Sequence, residues 1–213
     1  TTDHKEMVME EKLIDSAKEY LKKEYNCHSI ILYGSFVSGD YTEESDIDLV
    51  CFCDNPKKEN DTTVFNNRRL DAWIYKTEMM EECTQFLHVK DGKIIFDERD
   101  LCTIFLNDIN KQFITGPKQL TLQEKDFLKD WLKKMLQRAR KGDIEGNFRY
   151  HWLLTDSLKI YFDIKGMWYL GPKKSLQWLY DNNRKAYYLF YNALRNNADI
   201  DEIEKLIEYI VVS

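Results

Sequence analysis

The sequence lacks an excess of basic residues. Its 213 residues include 31 Lys and Arg against 37 Asp and Glu, which gives a formal net charge of −6. Proteins that follow long polynucleotides usually carry a basic excess, because their cations neutralise phosphates. We therefore expect no long nucleic acid partner, and the charge balance better suits a small or cationic substrate.

The sequence also lacks cysteine pairs with the spacing of a metal site. Its five cysteines are Cys27, Cys51, Cys53, Cys83 and Cys102. An odd number of cysteines without a disulfide framework indicates reduced thiols and favours a cytoplasmic location. Cys51 and Cys53 lie in an apolar run, so we expect both side chains on one buried face of a strand.

Long hydrophobic runs, internal repeats and low-complexity segments are missing as well. No run approaches the roughly eighteen apolar residues that a membrane span needs, so we expect no membrane partner. The polar residues 1–6 do not have the pattern of a signal peptide, which adds to the expectation of a cytoplasmic protein.

Apolar periodicity divides the chain into an α/β half and a helical half. Helical spacing predicts an amphipathic helix over residues 7–25, and short apolar runs predict strands. The predicted strands cover residues 29–33, 47–53, 70–75 and 93–96. Thr77 is expected to cap a helix over residues 78–87, and the charged residues 57–63 are expected to form an exposed loop.

Gly116-Pro117 interrupts this pattern, and the chain beyond it has only helical periodicity. Thr121-x-x-Glu124 is a capping box that opens the first helix of this half. We therefore predict an α/β (α+β) domain with a small mixed sheet over residues 1–115. An all-α helical bundle domain over residues 118–213 is predicted to follow it.

The most informative pattern is Gly34-Ser35, then ten residues, then Asp46-Ile47-Asp48. A glycine turn after a strand lets the main chain approach a phosphate closely. Two acids at i and i+2 of a strand point the same way, and inside an apolar strand they are costly unless a cation or solvent relieves them. Mg²⁺ prefers such carboxylate oxygens together with a substrate phosphate.

This pattern, with its flanking apolar residues, resembles the signature of the DNA polymerase beta-type nucleotidyltransferase superfamily. The α/β half followed by helices resembles the bacterial branch that includes the aminoglycoside nucleotidyltransferases. The specific motif covers residues 30–52, and the likeness in element order covers most of the chain.

The resemblance implies a role for each motif residue. Gly34 and Ser35 would bind the β- and γ-phosphates of an NTP, with ATP favoured, and Asp46 and Asp48 would ligate Mg²⁺. Asp71 would be the third acid, shared between a second metal and activation of the acceptor. The implied catalytic and metal-binding set is thus Asp46, Asp48 and Asp71, with one or two Mg²⁺ ions.

Two assignments stay open at this point. The assignment of Asp71 as the third acid rests on its position in a short apolar strand. If Asp71 has a structural role instead, a one-metal mechanism with a base such as Glu145 or Asp156 follows. Lys173 and Lys174 stand at a predicted helix start, where they either contact the triphosphate, as basic residues do in related enzymes, or form a solvated turn.

The implied activity is transfer of a nucleoside monophosphate, with AMP favoured, from an NTP to a hydroxyl of a small molecule. An aminoglycoside-like acceptor would connect the protein with antibiotic resistance. The alternatives are a non-catalytic nucleotide-binding or antitoxin-like module, and nucleotidylation of a protein hydroxyl. The sequence does not fix the acceptor, the nucleobase or the oligomeric state.

Overall fold

The computed structural model describes residues 2–213, with side chains from Lys5 onward. The chain forms two compact units, one that ends at Thr115 and one that covers Gly116–Ser213. The first contains a mixed sheet and the second is helical, which confirms the predicted fold class.

The N-terminal unit combines helices with short and long strands. Its α-helices are α1 (Thr2–Tyr25), α2 (Ser35–Ser38) and α3 (Cys102–Thr115). Its strands are β1 (Ser29–Tyr33), β2 (Ile47–Cys53), β3 (Asn60–Asp61), β4 (Val64–Phe65), β5 (Arg68–Lys76) and β6 (Lys93–Asp97). The strands are arranged in the order β3–β5–β2–β1–β6, and β4 also pairs with β5. β2 and β5 are parallel, and the other described pairs are antiparallel.

The two faces of this sheet have different partners. Side chains alternate along β2, so Leu49 faces one side while Asp48 and Phe52 face the other. The first side packs with α1 in a buried cluster that includes Leu13, Ala17, Leu21, Ile30, Leu32, Ile47, Leu70, Ala72 and Ile74. On the second side the ring of Phe52 lies 5.6 Å from that of Phe86 and 5.1 Å from that of Phe105. Apolar residues therefore pack against both faces of β2, except near the start of the strand, where Asp48 lies.

Two predictions for this unit are wrong. Thr77 does not cap an α-helix, because the segment forms two 3₁₀ helices, Thr77–Glu81 and Cys83–Val89. The Thr77 hydroxyl instead donates to Asp54 at 2.8 Å and lies 2.8 Å from Nε2 of the buried His28. A hydroxyl engaged in these contacts is not available to the backbone amides of a helix end.

Residues 57–63 are also more than an exposed loop. β3 lies within them, and Asp61 is only 2% exposed. Its carboxylate accepts hydrogen bonds from the hydroxyls of Tyr20 and Tyr25 and from the backbone amide of Thr63. These donors compensate the burial of its charge.

The C-terminal unit is a set of amphipathic helices around one apolar core. The helices are α4 (Leu122–Ala139), α5 (Ile144–Ile164), α6 (Pro172–Asn182), α7 (Arg184–Ala193) and α8 (Ile200–Val212). The core includes Leu132, Met135, Leu153, Tyr161, Phe162, Leu179, Phe190, Ile203, Leu206 and Ile210. The predicted capping box is confirmed, since Thr121 and Glu124 exchange side-chain and backbone hydrogen bonds of 3.2 and 2.8 Å.

All five cysteines are free, and Cys51 and Cys53 lie in the buried cluster beside α1, as predicted. Across residues 2–213, no helix has the length and apolar character needed to cross a membrane.

Candidate functional site

Two of the predicted acids are neighbours at one end of the sheet. Asp48 of β2 is the register partner of Asp71 of β5, and on its other side it is the register partner of Tyr33 of β1. Register partners on adjacent strands point to the same face of a sheet. Tyr33, Asp48 and Asp71 therefore form a row across three strands, on the face opposite α1. We call these three residues the acid row.

Asp46 extends this site along the chain. It lies one residue before β2 begins and two residues before Asp48, and it is half-buried like Asp48 and Asp71. The structure thus places Asp46, Asp48 and Asp71 at the same end of the parallel β2–β5 pair.

Gly34 lies against Asp48 of the acid row, where there is no room for a side chain. It follows β1, has φ +72° and ψ −149°, and directly precedes the short helix α2. A Cβ placed on Gly34 would lie 2.2 Å from Oδ2 of Asp48. Glycine is required at this position for two reasons. The backbone conformation is essentially confined to glycine, and the carboxylate of Asp48 fills the space that a side chain would need.

The turn that carries Gly34 is closed by its own hydrogen bonds. The Gly34 carbonyl accepts from the backbone amides of Val37 and Ser38, at 3.0 and 3.1 Å, and from the Ser38 hydroxyl at 3.2 Å. Ser35, the first residue of α2, is half-buried beside Gly34. The phosphate-binding pair predicted from the sequence therefore lies in an ordered turn next to Asp48.

Asp71 is held by a residue that the sequence interpretation missed. The Asn60 side-chain amide of β3 donates to Oδ1 of Asp71 at 2.9 Å, and to the carbonyl of Ala72 at 3.3 Å. This hydrogen bond fixes one carboxylate oxygen and leaves Oδ2 of Asp71 for other partners. The signal for Asn60 was weak, because a polar residue in a charged segment is typical of a loop.

Two tyrosines near the acids stay protonated over a wide pH range. Burial, and then the negative charges of Asp48 and Asp71, raise the pKa of Tyr33 well above its ordinary value. Burial and the charge of Asp71 also raise the pKa of Tyr75. A phenol that keeps its proton is a hydrogen-bond donor and not a base near neutral pH.

The acids have the donor chemistry of a Mg²⁺ site. In the described part of the chain, no three His, Cys, Asp or Glu side chains are arranged to hold a metal ion among themselves. Mg²⁺ does not require such a cage, since it usually binds one or two carboxylates together with water and substrate phosphates. Asp48 and Asp71, paired across β2 and β5, fit that requirement, and Asp46 adds a further carboxylate nearby.

The other predicted residues belong to the C-terminal unit. Lys173 and Lys174 are exposed in the first turn of α6, after Pro172. Their contact with an NTP stays a prediction.

The two alternative bases in α5 have local partners. Glu145 accepts two hydrogen bonds from Arg149, and Asp156 accepts one from the Trp152 indole at 2.9 Å.

Comparison with known proteins shows the family of the chain and structural likenesses to solved proteins. A family model described as the nucleotidyltransferase domain matches residues 14–140. No curated protein matches the chain. Among solved structures, a nucleotidyltransferase-like protein from Exiguobacterium sibiricum 255-15 is similar, with a TM-score of 0.45 and 15% identity over 96% of this chain and 72% of that chain. The matched residues 14–140 include Gly34 and all three acids.

Proposed function

We propose a function from the premise that the chain belongs to the nucleotidyltransferase domain family and is a nucleotidyltransferase that uses an NTP. In the proposed function, the protein transfers AMP from ATP to a hydroxyl of a small molecule. Mg²⁺ bound by Asp46, Asp48 and Asp71 would assist this transfer. The observation that carries the proposal is the approach of the Asp48 carboxylate to the bare α-carbon of Gly34. It brings a metal-binding oxygen next to a backbone turn suited to phosphate.

In the proposed reaction the acceptor hydroxyl attacks the α-phosphorus of ATP. A new P–O bond forms to the acceptor, the P–O bond to the β-phosphate breaks, and pyrophosphate leaves. Bound Mg²⁺ supplies charge neutralisation at the phosphates. Gly34 and Ser35 bind the departing phosphates through the turn, and Asp71, held by Asn60, accepts the proton that the attacking hydroxyl loses.

The charge around the site favours a cationic acceptor. Glu43 and Glu44 are exposed in the loop that leads to Asp46. Two other acids of this unit do not add to this attraction for a cationic substrate. Asp54 forms a salt bridge of 2.7 Å with Arg99, and Asp61 is buried. Exposed carboxylates in the loop next to Asp46 attract a polyamine-like substrate, so we propose an aminoglycoside-like acceptor.

The test is incubation with ATP, Mg²⁺ and two matched sets of acceptors, cationic aminocyclitols and neutral polyols. We expect pyrophosphate release and a mass gain of one AMP on the cationic acceptors. Asp48→Asn removes the charge at the centre of the acid row and should abolish transfer. Glu78→Gln, which removes an exposed acid elsewhere in the same unit, is the matched control and should retain full activity.

The outcomes separate this proposal from the alternatives. Absence of ATP binding in calorimetry with Mg²⁺ present would contradict the donor side. Labelled AMP on a protein in a cell lysate, with no small acceptor modified, would assign the activity to protein nucleotidylation instead. Binding of ATP with neither product would favour a non-catalytic nucleotide-binding module.

A further inference from the structure

Arg68 joins the start of β5 to the loop that precedes the acids. Its guanidinium Nη1 donates to the backbone carbonyl of Thr42, and to that of Ser45 at 3.2 Å. Ser45 directly precedes Asp46. The position of the main chain that carries the first acid is therefore tied to a strand of the sheet.

The same guanidinium lies over two stacked rings. The rings of Phe36 and Tyr41 are 4.7 Å apart with an interplanar angle of 6°. The Arg68 guanidinium carbon lies 5.3 Å from the Phe36 centroid and 5.8 Å from the Tyr41 centroid. Phe36 belongs to α2, directly after Ser35, so the contact reaches the turn that carries Gly34 as well as the loop.

The loop also has internal hydrogen bonds that favour one conformation. The Thr42 amide donates to the Ser45 hydroxyl at 2.8 Å, and the Ser45 amide donates to the Thr42 carbonyl at 3.1 Å. Arg68 donates to the same Thr42 carbonyl from outside the loop. The loop is thus closed by its own turn and is also held from outside by Arg68.

We propose that Arg68 is a positioning residue of the site. It fixes residues 40–45 so that the Gly34 turn and the Asp46–Asp48 segment keep their spacing before ATP and Mg²⁺ arrive. This inference rests on the proposed role of Asp46 in binding Mg²⁺. Arginine suits the task because its planar group donates in several directions and stacks on aromatic rings, which the point charge of lysine does not reproduce.

The test compares Arg68→Gln and Arg68→Lys with Arg69→Gln. Arg69 is the next residue of β5, is exposed, and pairs with Val64 of β4, so its replacement is a matched control. We expect Arg68→Gln to speed amide hydrogen exchange over residues 40–46 and to raise the Mg²⁺ concentration for half-maximal ATP binding about tenfold, the loss expected for charged hydrogen bonds. Arg68→Lys should show the same changes in loop exchange and in the Mg²⁺ midpoint as Arg68→Gln. Arg69→Gln should match the wild-type protein in both measurements.

Several results would overturn the inference. They are unchanged loop exchange or an unchanged Mg²⁺ midpoint in Arg68→Gln, full rescue by Arg68→Lys, and equal effects of Arg69→Gln. Should Arg68→Gln fail to fold, Arg68→Lys still tests it, because a folded lysine variant with wild-type readings contradicts the need for the guanidinium. Asp46→Asn is measured alongside. Unchanged Mg²⁺-dependent ATP binding in that variant would contradict the proposed function. The loop exchange of the Arg68 variants, by contrast, reports on the positioning role alone.

Discussion

Replacing Gly34 by alanine is the most direct test of the site geometry. The added Cβ would lie 2.2 Å from Oδ2 of Asp48, whereas ordinary contact begins at 3.4 Å. The carboxylate must therefore move by about 1 Å, the difference between these two distances. The positive φ at Gly34 adds backbone strain of about 1–3 kcal/mol.

These two costs have different consequences. The strain lowers the free energy of unfolding, whereas the displaced carboxylate lowers activity. A misplacement of about 1 Å at a reacting centre costs on the order of 100-fold in rate. We expect Gly34→Ala to fold with reduced stability, to bind ATP with Mg²⁺ more weakly, and to lose transfer by that factor.

Gly39→Ala is the matched control for the strain. Gly39 has φ +83° at the end of α2, and a Cβ there would meet nothing within 4 Å. It should therefore lose about 1–2 kcal/mol of unfolding free energy from the left-handed backbone and keep its activity. Urea unfolding and calorimetric titration of ATP measure the two quantities. If Gly34→Ala binds ATP as well as Gly39→Ala does, the closeness of Gly34 to Asp48 has no functional role and the reasoning is wrong.

Three further predictions concern stability and Asp71. Burial, the largest influence, would raise the pKa of Asp61, but hydrogen bonds such as that from Tyr25 lower it to about 2. Because the pKa falls on folding from about 3.9, this carboxylate contributes about 2–3 kcal/mol at neutral pH that is lost as the pH falls from about 4 to about 2. Urea unfolding of Asp61→Asn should show less pH dependence in that window, and an unchanged slope would contradict the assignment. Thr121→Ala removes an exposed capping box and should cost about 1 kcal/mol in urea unfolding; full stability would mean that the cap contributes nothing. Asn60→Ala should lower the transfer rate while leaving ATP binding unchanged, because it removes the hydrogen bond that holds Asp71 and leaves Gly34, Ser35 and Asp48 in place; equal rates would remove Asn60 from the site.

The long elements of the fold follow from the sequence for a simple reason. β1 and β2 are runs of mostly apolar residues that bury most of their side chains, and β5 buries alternate residues (Leu70, Ala72 and Ile74), so local pattern and tertiary packing agree. The same agreement holds for the capping box at Thr121 and for the helices after Gly116-Pro117. Their ends differ from the predictions by a few residues, as at α1, which begins before residue 7.

The hairpin formed by β4 and β5 was missed, although the sequence contained a signal for it. Asn66 and Asn67 lie between the paired residues Phe65 and Arg68, and both have positive φ, 45° and 64°. Two such residues in a two-residue loop are typical of the turns that match strand twist. β4 has only two residues, so no alternation of polar and apolar side chains marked it as a strand.

The proximity of Gly34, Asp46 and Asp48 could be predicted because these residues lie within one local segment. The contacts of Asn60 and Arg68 could not be predicted, since they depend on how β3 and β5 are placed beside β2. The pairing of Asp71 with Asp48 depends on the same placement. Hydrophobic pattern predicts that a strand exists, and it does not specify which polar side chain will face which partner across the sheet.

The long parallel pairing of β2 with β5 limits how the length of this chain can vary. The two strands are matched residue by residue from Ile47 with Leu70 to Cys53 with Lys76. Deleting one residue inside either strand would turn its acid toward the apolar side under α1 and bring an apolar side chain to the site. Within this pair, insertions and deletions are therefore compatible with activity only between the strands, such as at residues 55–58.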